Sequence, residues 1–181
     1  MLSYKLLRYL LFLPLLVLTA CHREPEWYSP PAQQHVIANP DPPRSSLMVD
    51  MTDVDVDDHV VSDVGPSQGS TPWRWARKRP TFKILVLQKK NLKFTTDFNL
   101  WDESMKHTGR VTISFFIGDK LLDKIAYDTP GDKHFELPVN PDWLTTEADT
   151  LICAEIDKVY TSPSDGAKLG FIITRMGFEP R

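Results

Sequence analysis

Residues 111–127 read VTISFFIGDKLLDKIAY, and this stretch decides the fold class. Val111, Ile113, Phe115 and Ile117 occupy every second position, which is the period of a strand with one face in a core and one in water. Gly118-Asp119-Lys120 then supplies turn chemistry, and Leu121 to Tyr127 returns as a second strand, so the stretch predicts a β-hairpin.

The same period extends outward. Leu92, Phe94, Thr96, Phe98 and Leu100 alternate with Lys93, Thr95, Asp97 and Asn99, while Phe82 to Gln88 is apolar on both faces. Phe135, Leu137 and Val139 give a further strand, Thr150 to Tyr160 a long one, and Leu169 to Phe178 the last, after a loop with Pro163 and Gly166. No segment of helix length carries a 3.6-residue period, and Pro141-Asp142-Trp143-Leu144 offers a single helical turn. About seven closely spaced strands predict an all-β, antiparallel sandwich of jelly-roll or immunoglobulin-like type over residues 72–181. Cys153 is expected as a buried thiol on a strand.

The N-terminal part reads differently. Lys5 and Arg8 precede the apolar run Leu10 to Leu18, which is interrupted only by Pro14 and is shorter than the roughly 20 residues a bilayer span requires. It ends in Leu18-Thr19-Ala20-Cys21, which resembles the lipobox of bacterial lipoproteins. That resemblance implies cleavage of a signal peptide over residues 1–20 and a diacylglyceryl group on the Cys21 thiol, making the lipid bilayer a partner. Several acyl chains, at about 0.8 kcal/mol per buried CH₂, hold far better than one. It also implies the bacterial cell envelope, with the outer membrane favoured over the inner because His22, not aspartate, follows the cysteine. An ordinary secretory signal with a chance cysteine and an uncleaved short anchor are the alternatives.

Residues 21–71 are rich in proline and aspartate, with aromatic residues confined to Trp27 and Tyr28, and are expected to form a disordered linker. About 50 such residues reach of order 40 Å as a flexible coil. Asp50, Asp53, Asp55, Asp57, Asp58 and Asp63 make it acidic, whereas basic residues slightly outnumber acidic ones after Pro72.

Chemistry-bearing patterns are sparse. His107 and His134 lack metal-ligand spacing, and no nucleophile elbow or phosphate loop occurs. Asp97, Asp102, Glu103, Glu155 and Asp157 could supply a glycosidase pair, but a solvated strand face or loop accounts for them. The run Asp53 to Asp58 lacks an EF-hand's glycine and glutamate, with Asp58 and Val64 in those places, and reads as a solvated acidic tail. No catalytic residue, metal site or cofactor is therefore assigned. Trp73 and Trp75 interleave with Arg74, Arg77, Lys78 and Arg79, a combination suited to an anionic glycan, a headgroup or a nucleic acid, the last being excluded for an exported chain. Against that stands a plainer reading, one ring in the domain edge and wet arginines around it. Trp101 and Trp143 face the same choice between core and sugar platform.

From Trp73 to Phe178 the chain resembles a small bacterial β-sandwich module of envelope proteins and of some glycosyl-transfer enzymes. The carrying residues are Trp73-Arg74-Trp75, Ile117-Gly118, Leu137-Pro138-Val139, Leu169-Gly170-Phe171 and Gly177-Phe178. Of the family's Asp-x-Arg-x-Leu-Gly pattern, Asp165 and Leu169-Gly170 match, with Ala167 in the arginine's place and Lys168 beside it. The resemblance implies a carbohydrate-associated accessory domain without catalytic residues. The expected function is a non-catalytic, membrane-tethered lipoprotein binding a polysaccharide through Trp73, Trp75 and Trp101. A scaffold docking on an envelope protein and a small hydrolase with an unrecognised site are the alternatives.

Overall fold

The computed structural model describes residues 47–181; the leader, Cys21 and the linker up to residue 46 lie outside them. In chain order the elements are β1 (Met48–Asp50), α1 (Val56–His59), β2 (Val60–Val64), β3 (Arg74–Ile84), β4 (Leu92–Leu100), α2 (Asp102–Thr108), β5 (Val111–Ile117), β6 (Lys120–Tyr127), β7 (Gly131–Pro138), a 3₁₀ turn (Pro141–Trp143), β8 (Thr150–Ile156), β9 (Tyr160–Thr161), β10 (Lys168–Leu169) and β11 (Phe171–Pro180). No helix among the described residues is long and apolar enough to cross a membrane.

Seven strands follow one another in the order β6-β5-β8-β3-β11-β4-β7, every neighbour antiparallel. The expectation of two separate sheets is corrected here: this is one mostly continuous, nearly closed, barrel-like sheet. The reason is β3, which belongs to both halves. Its first residues pair with β11 (Ala76 with Phe171, Arg74 with Ile173) and its last with β8 (Thr81 with Cys153, Ile84 with Thr150). Between them the chain turns a corner at residues 77–80, where Pro80 has no N–H to offer a ladder. Asp63, at φ +60°, fastens that corner by accepting the Arg79 N–H at 2.8 Å.

The alternating residues of the hairpin face inward as expected. Val111, Ile113, Phe115 and Ile117 are buried, as are Leu92, Phe94, Thr96, Phe98 and Leu100 of β4. The Phe115 ring lies flat on Phe135, centroids 3.9 Å apart and planes 5° off parallel, and Phe98 meets Tyr127 edge-on at 5.6 Å. These contacts join β5 to β7 and β4 to β6, strands that are not sheet neighbours, so they draw the barrel shut across its core. Each such side chain removed from water contributes about 1.5–3 kcal/mol.

The linker boundary at residue 71 is also corrected. β1 pairs with β11 (Met48 with Gly177, Asp50 with Arg175), and β2 pairs with β3 (Val60 with Phe82). β11 needs this: once β3 turns away, the edge beyond the bulge at Ile173–Arg175 would be left without a ladder, and β1 fills it. The fit leaves room only for glycine, because a Cβ on Gly177 would stand 2.2 Å from the Leu47 carbonyl oxygen. The acidic run is likewise not a solvated tail. It folds as α1, burying Val56 in the core and placing Asp57 on the guanidinium of Arg74.

Two further differences concern element bounds. The strand expected over Phe82 to Gln88 starts at Arg74 and ends at Ile84. The helix α2 has only Met105 as a buried apolar side chain, so it carries no hydrophobic period; local bonds define it, with Lys106 on Asp102 at 2.6 Å and the Gly109 N–H closing on the Met105 carbonyl. The 3₁₀ turn at Pro141–Trp143 and the buried Cys153 on β8 stand as expected.

Candidate functional site

Strand alternation sets the orientation of β3: Arg74 and Ala76 point into the core, so Trp73 and Trp75 stand on the outer face. Trp75 lies across from Ile172 of β11, and Ile172 from Asn99 of β4, so the residue leaving β4, Trp101, arrives beside it. The result is a ladder of rings. Trp73 meets Trp75 at 6.1 Å, Trp75 meets Trp101 at 5.5 Å and Trp101 meets Tyr160 at 6.0 Å, each edge-on; Tyr160 then stacks on His107 at 5.0 Å. Trp73 and Trp75 are half-buried, and Trp101 is 37% exposed. Trp143 stands apart, packed against the core at the 3₁₀ turn.

The three tryptophans expected from the sequence thus come together, while Tyr160 and His107 were missed. Tyr160 reads in sequence as the end of a long strand, and His107 sits on the helix that has no period. Only the fold brings them to the ladder.

Beside Trp75 opens a cleft of about 530 Å³, walled by Arg77, Gln68 and the loop Asp165 to Leu169. Asp165 closes its own turn, accepting the Ala167 N–H at 3.1 Å, and the Ser162 hydroxyl and this N–H hold its carboxyl below the usual range. Gly170 follows the loop that walls the cleft: its N–H reaches the Ala76 carbonyl at 2.8 Å, and a Cβ there would stand 2.1 Å from the Arg77 carbonyl oxygen.

The basic run of β3 is divided by this geometry. Arg74, expected in water, is buried on Asp57, and its hydrogen bond draws that carboxyl down. Arg79 lies farther along the outer face, over β8 and β5, where its Nε donates to Cys153 Sγ at 3.4 Å, its Nη1 lies 3.4 Å from Glu155 and its guanidinium covers the Phe116 ring. Burial pushes the Cys153 thiol up, which keeps it protonated. Arg77 alone of the arginines enters the cleft.

The carboxylates weighed as a glycosidase pair are committed elsewhere. Asp102 and Glu103 bind Lys106 and His107 on α2, and Asp157 accepts the Thr112 N–H at 2.7 Å. Asp97 belongs to a closed ring of six ionisable groups on the outer face of β7, β4 and β11, alternating in charge when His134 is protonated: Asp97, His134, Glu136, Lys93, Glu179 and Arg175. His134 gives Nδ1 to Asp97 at 2.5 Å and Nε2 to Glu136 at 3.3 Å, and its pKa is raised chiefly by the Asp97 bond. At the ring's centre Thr95 is fully buried, its hydroxyl without a partner. Among the described residues no cluster of three or more His, Cys, Asp or Glu is placed to hold a metal ion.

No family model matches the sequence, and neither does any curated protein. Among solved structures the chain is similar to a family GH115 4-O-methyl-α-glucuronidase with specificity for decorated arabinogalactans, at 12% identity and a TM-score of 0.39. The β-rich part distantly resembles part of a GH115 glycosidase. The similarity covers 67% of this chain and 16% of that one.

Proposed function

We propose that the protein is a non-catalytic lipoprotein of the bacterial cell envelope, tethered through Cys21, whose β domain binds a glycan. One observation supports this reading above the others. Trp73, Trp75 and Trp101, which come from two stretches distant in sequence, form a single ladder of rings, and its middle ring, Trp75, lines a cleft. Aromatic faces offer apolar contact to the C–H face of a pyranose, and a few polar groups beside them can fix its hydroxyls, the usual division of labour in a small-ligand site. Anchoring in the outer membrane is part of the same proposal and rests on the Leu-Thr-Ala-Cys ending with His22 after it.

The test is retention of the full chain on immobilised polysaccharides. Trp101→Ala removes the most exposed ring and should abolish retention while leaving thermal unfolding within a few degrees of wild type. Retention unchanged in that variant would refute the site, and the scaffold reading would replace it. For the anchor, Cys21→Ala should lose label from a radioactive fatty acid; label kept by the variant would refute lipidation at that thiol.

A further inference from the structure

The cleft holds two cations that nothing in the fold neutralises. Arg77 and Lys168 both line it, on β3 and β10, and neither side chain has a hydrogen bond or ion pair among the described residues. The other two arginines of β3 are used within the fold: Arg74 is spent on Asp57, and Arg79 on Cys153 and Glu155. The single carboxylate in the cleft wall, Asp165, turns an oxygen to its own loop at Ala167. Two positive charges and one negative leave the cleft net positive in a chain whose formal charge is −3.

The backbone around these cations is closely packed and carries small residues. Gly170 permits β10 to pass within contact of the Arg77 carbonyl, so the two basic residues are brought to one cleft by a close approach that a Cβ would forbid. Gly166, at φ +71°, and Ala167 present almost no side chain between them, and Gly65 and Pro66 also line the cleft. Trp75 supplies an aromatic wall to the same cleft. A volume of about 530 Å³ falls within the range of small-ligand sites, about 300–1,000 Å³.

We infer that the cleft takes an acidic saccharide, a sugar unit bearing a carboxylate or sulfate, with the anionic group on Arg77 and Lys168 and the sugar ring along Trp75. This rests on the glycan-binding reading and narrows it from glycans in general to acidic ones. A guanidinium binds such groups through paired N–H donors, and charge-assisted bonds of this kind are about twice as strong as neutral ones. A neutral sugar would leave both cations unused. The pair is at the surface, so affinity falls with rising salt.

The experiment is affinity electrophoresis of the full chain through gels containing polygalacturonate, the same polymer fully methyl-esterified, or neutral dextran, with Arg77→Gln, Lys168→Gln and Lys124→Gln compared at equal thermal stability. Lys124 lies on β6, away from the cleft. The expected result is retardation by polygalacturonate, lost on esterification, reduced about tenfold or more in apparent affinity by Arg77→Gln or Lys168→Gln and untouched by Lys124→Gln. Equal retardation by the acidic and esterified polymers, still abolished by Trp101→Ala, would overturn the acidic preference and leave glycan binding standing. Retardation by no polymer would overturn both. Retardation by polygalacturonate that ignores Arg77→Gln and Lys168→Gln would place the anion elsewhere and overturn this assignment. So would tighter Arg77-dependent binding to phosphatidylglycerol vesicles than to the polymer, which would make the cleft a headgroup site.

Discussion

Replacing Phe115 by alanine tests whether the barrel is held shut across its core. Phe115 is fully buried and touches Phe94 at 6.0 Å, Phe98 at 6.3 Å and Phe135 at 3.9 Å between centroids. Loss of a buried phenylalanine costs about 3–5 kcal/mol, because the transfer free energy of the ring adds to the cavity it leaves. In a domain of this size that lowers the melting temperature by roughly 10–20 °C. The neighbouring Phe116 points outward under Arg79 and is half-buried, so Phe116→Ala should cost about 1 kcal/mol. The decisive measurement is a double-mutant cycle in urea with Phe115→Leu and Phe135→Leu. Stacked rings couple by about 0.5–1.5 kcal/mol beyond their separate burial. The two strands share no ladder bond, so any coupling must pass through the core. Strict additivity, or equal damage from Phe115→Ala and Phe116→Ala, would refute the closure described above.

Three other expectations follow from particular contacts. A chain starting at Thr71 should melt well below one starting at Ser46, since it loses the β1 ladder on β11 and leaves Arg74 buried without Asp57; equal melting temperatures by circular dichroism would show that β1 and α1 contribute nothing. Gly170→Ala should destabilise the domain by about 1–3 kcal/mol in urea, because the added methyl meets the Arg77 carbonyl at 2.1 Å; a neutral effect would mean that β10 and β3 can separate freely. His134 stabilises the fold more as an imidazolium than as a neutral ring. With its pKa raised above the unfolded value near 6.5, that contribution is complete below about pH 6.5 and fades as pH rises through the folded value. Burial works to raise the Asp97 carboxyl, but the bonds from His134 and Arg175 outweigh it, so its share is complete above about pH 4 and lost on acidification. The difference in melting temperature between wild type and His134→Gln should therefore be largest near pH 5–6 and shrink towards pH 9; a difference independent of pH would show that His134 acts through packing alone.

The strands were legible because each carries its own period: Val111 to Ile117 and Leu92 to Leu100 announce which side chains are buried without reference to anything distant. The helix Asp102–Thr108 was not, since a single apolar residue, Met105, defines no face. Nor was the role of residues 47–64. Their composition is that of a linker, and what orders them is a vacancy on β11 that exists only once β3 has turned its corner. Arg74 was expected in water for the same reason: its partner Asp57 is seventeen residues upstream, in a segment that composition alone assigns to the solvent. At the candidate site the tryptophans could be singled out by type, and alternation puts Trp73 and Trp75 on one face. That Trp101 joins them depends on β11 lying between β3 and β4, an order that no local pattern encodes.

The near-closure of the sheet leaves β6 and β7 as its two open borders, and their residues bear on solubility. An exposed border offers unpaired N–H and C=O groups to any other strand, which is the usual start of aggregation. β6 carries Lys120, Asp123 and Lys124, and β7 carries Asp132, Lys133, His134 and Glu136 between Pro130 and Pro138. A second chain adding to either border would have to desolvate these charges and, at the ends of β7, meet a proline that can donate nothing. The charged ring built on β7 is thus also part of what keeps neighbouring copies from joining their sheets at high local concentration.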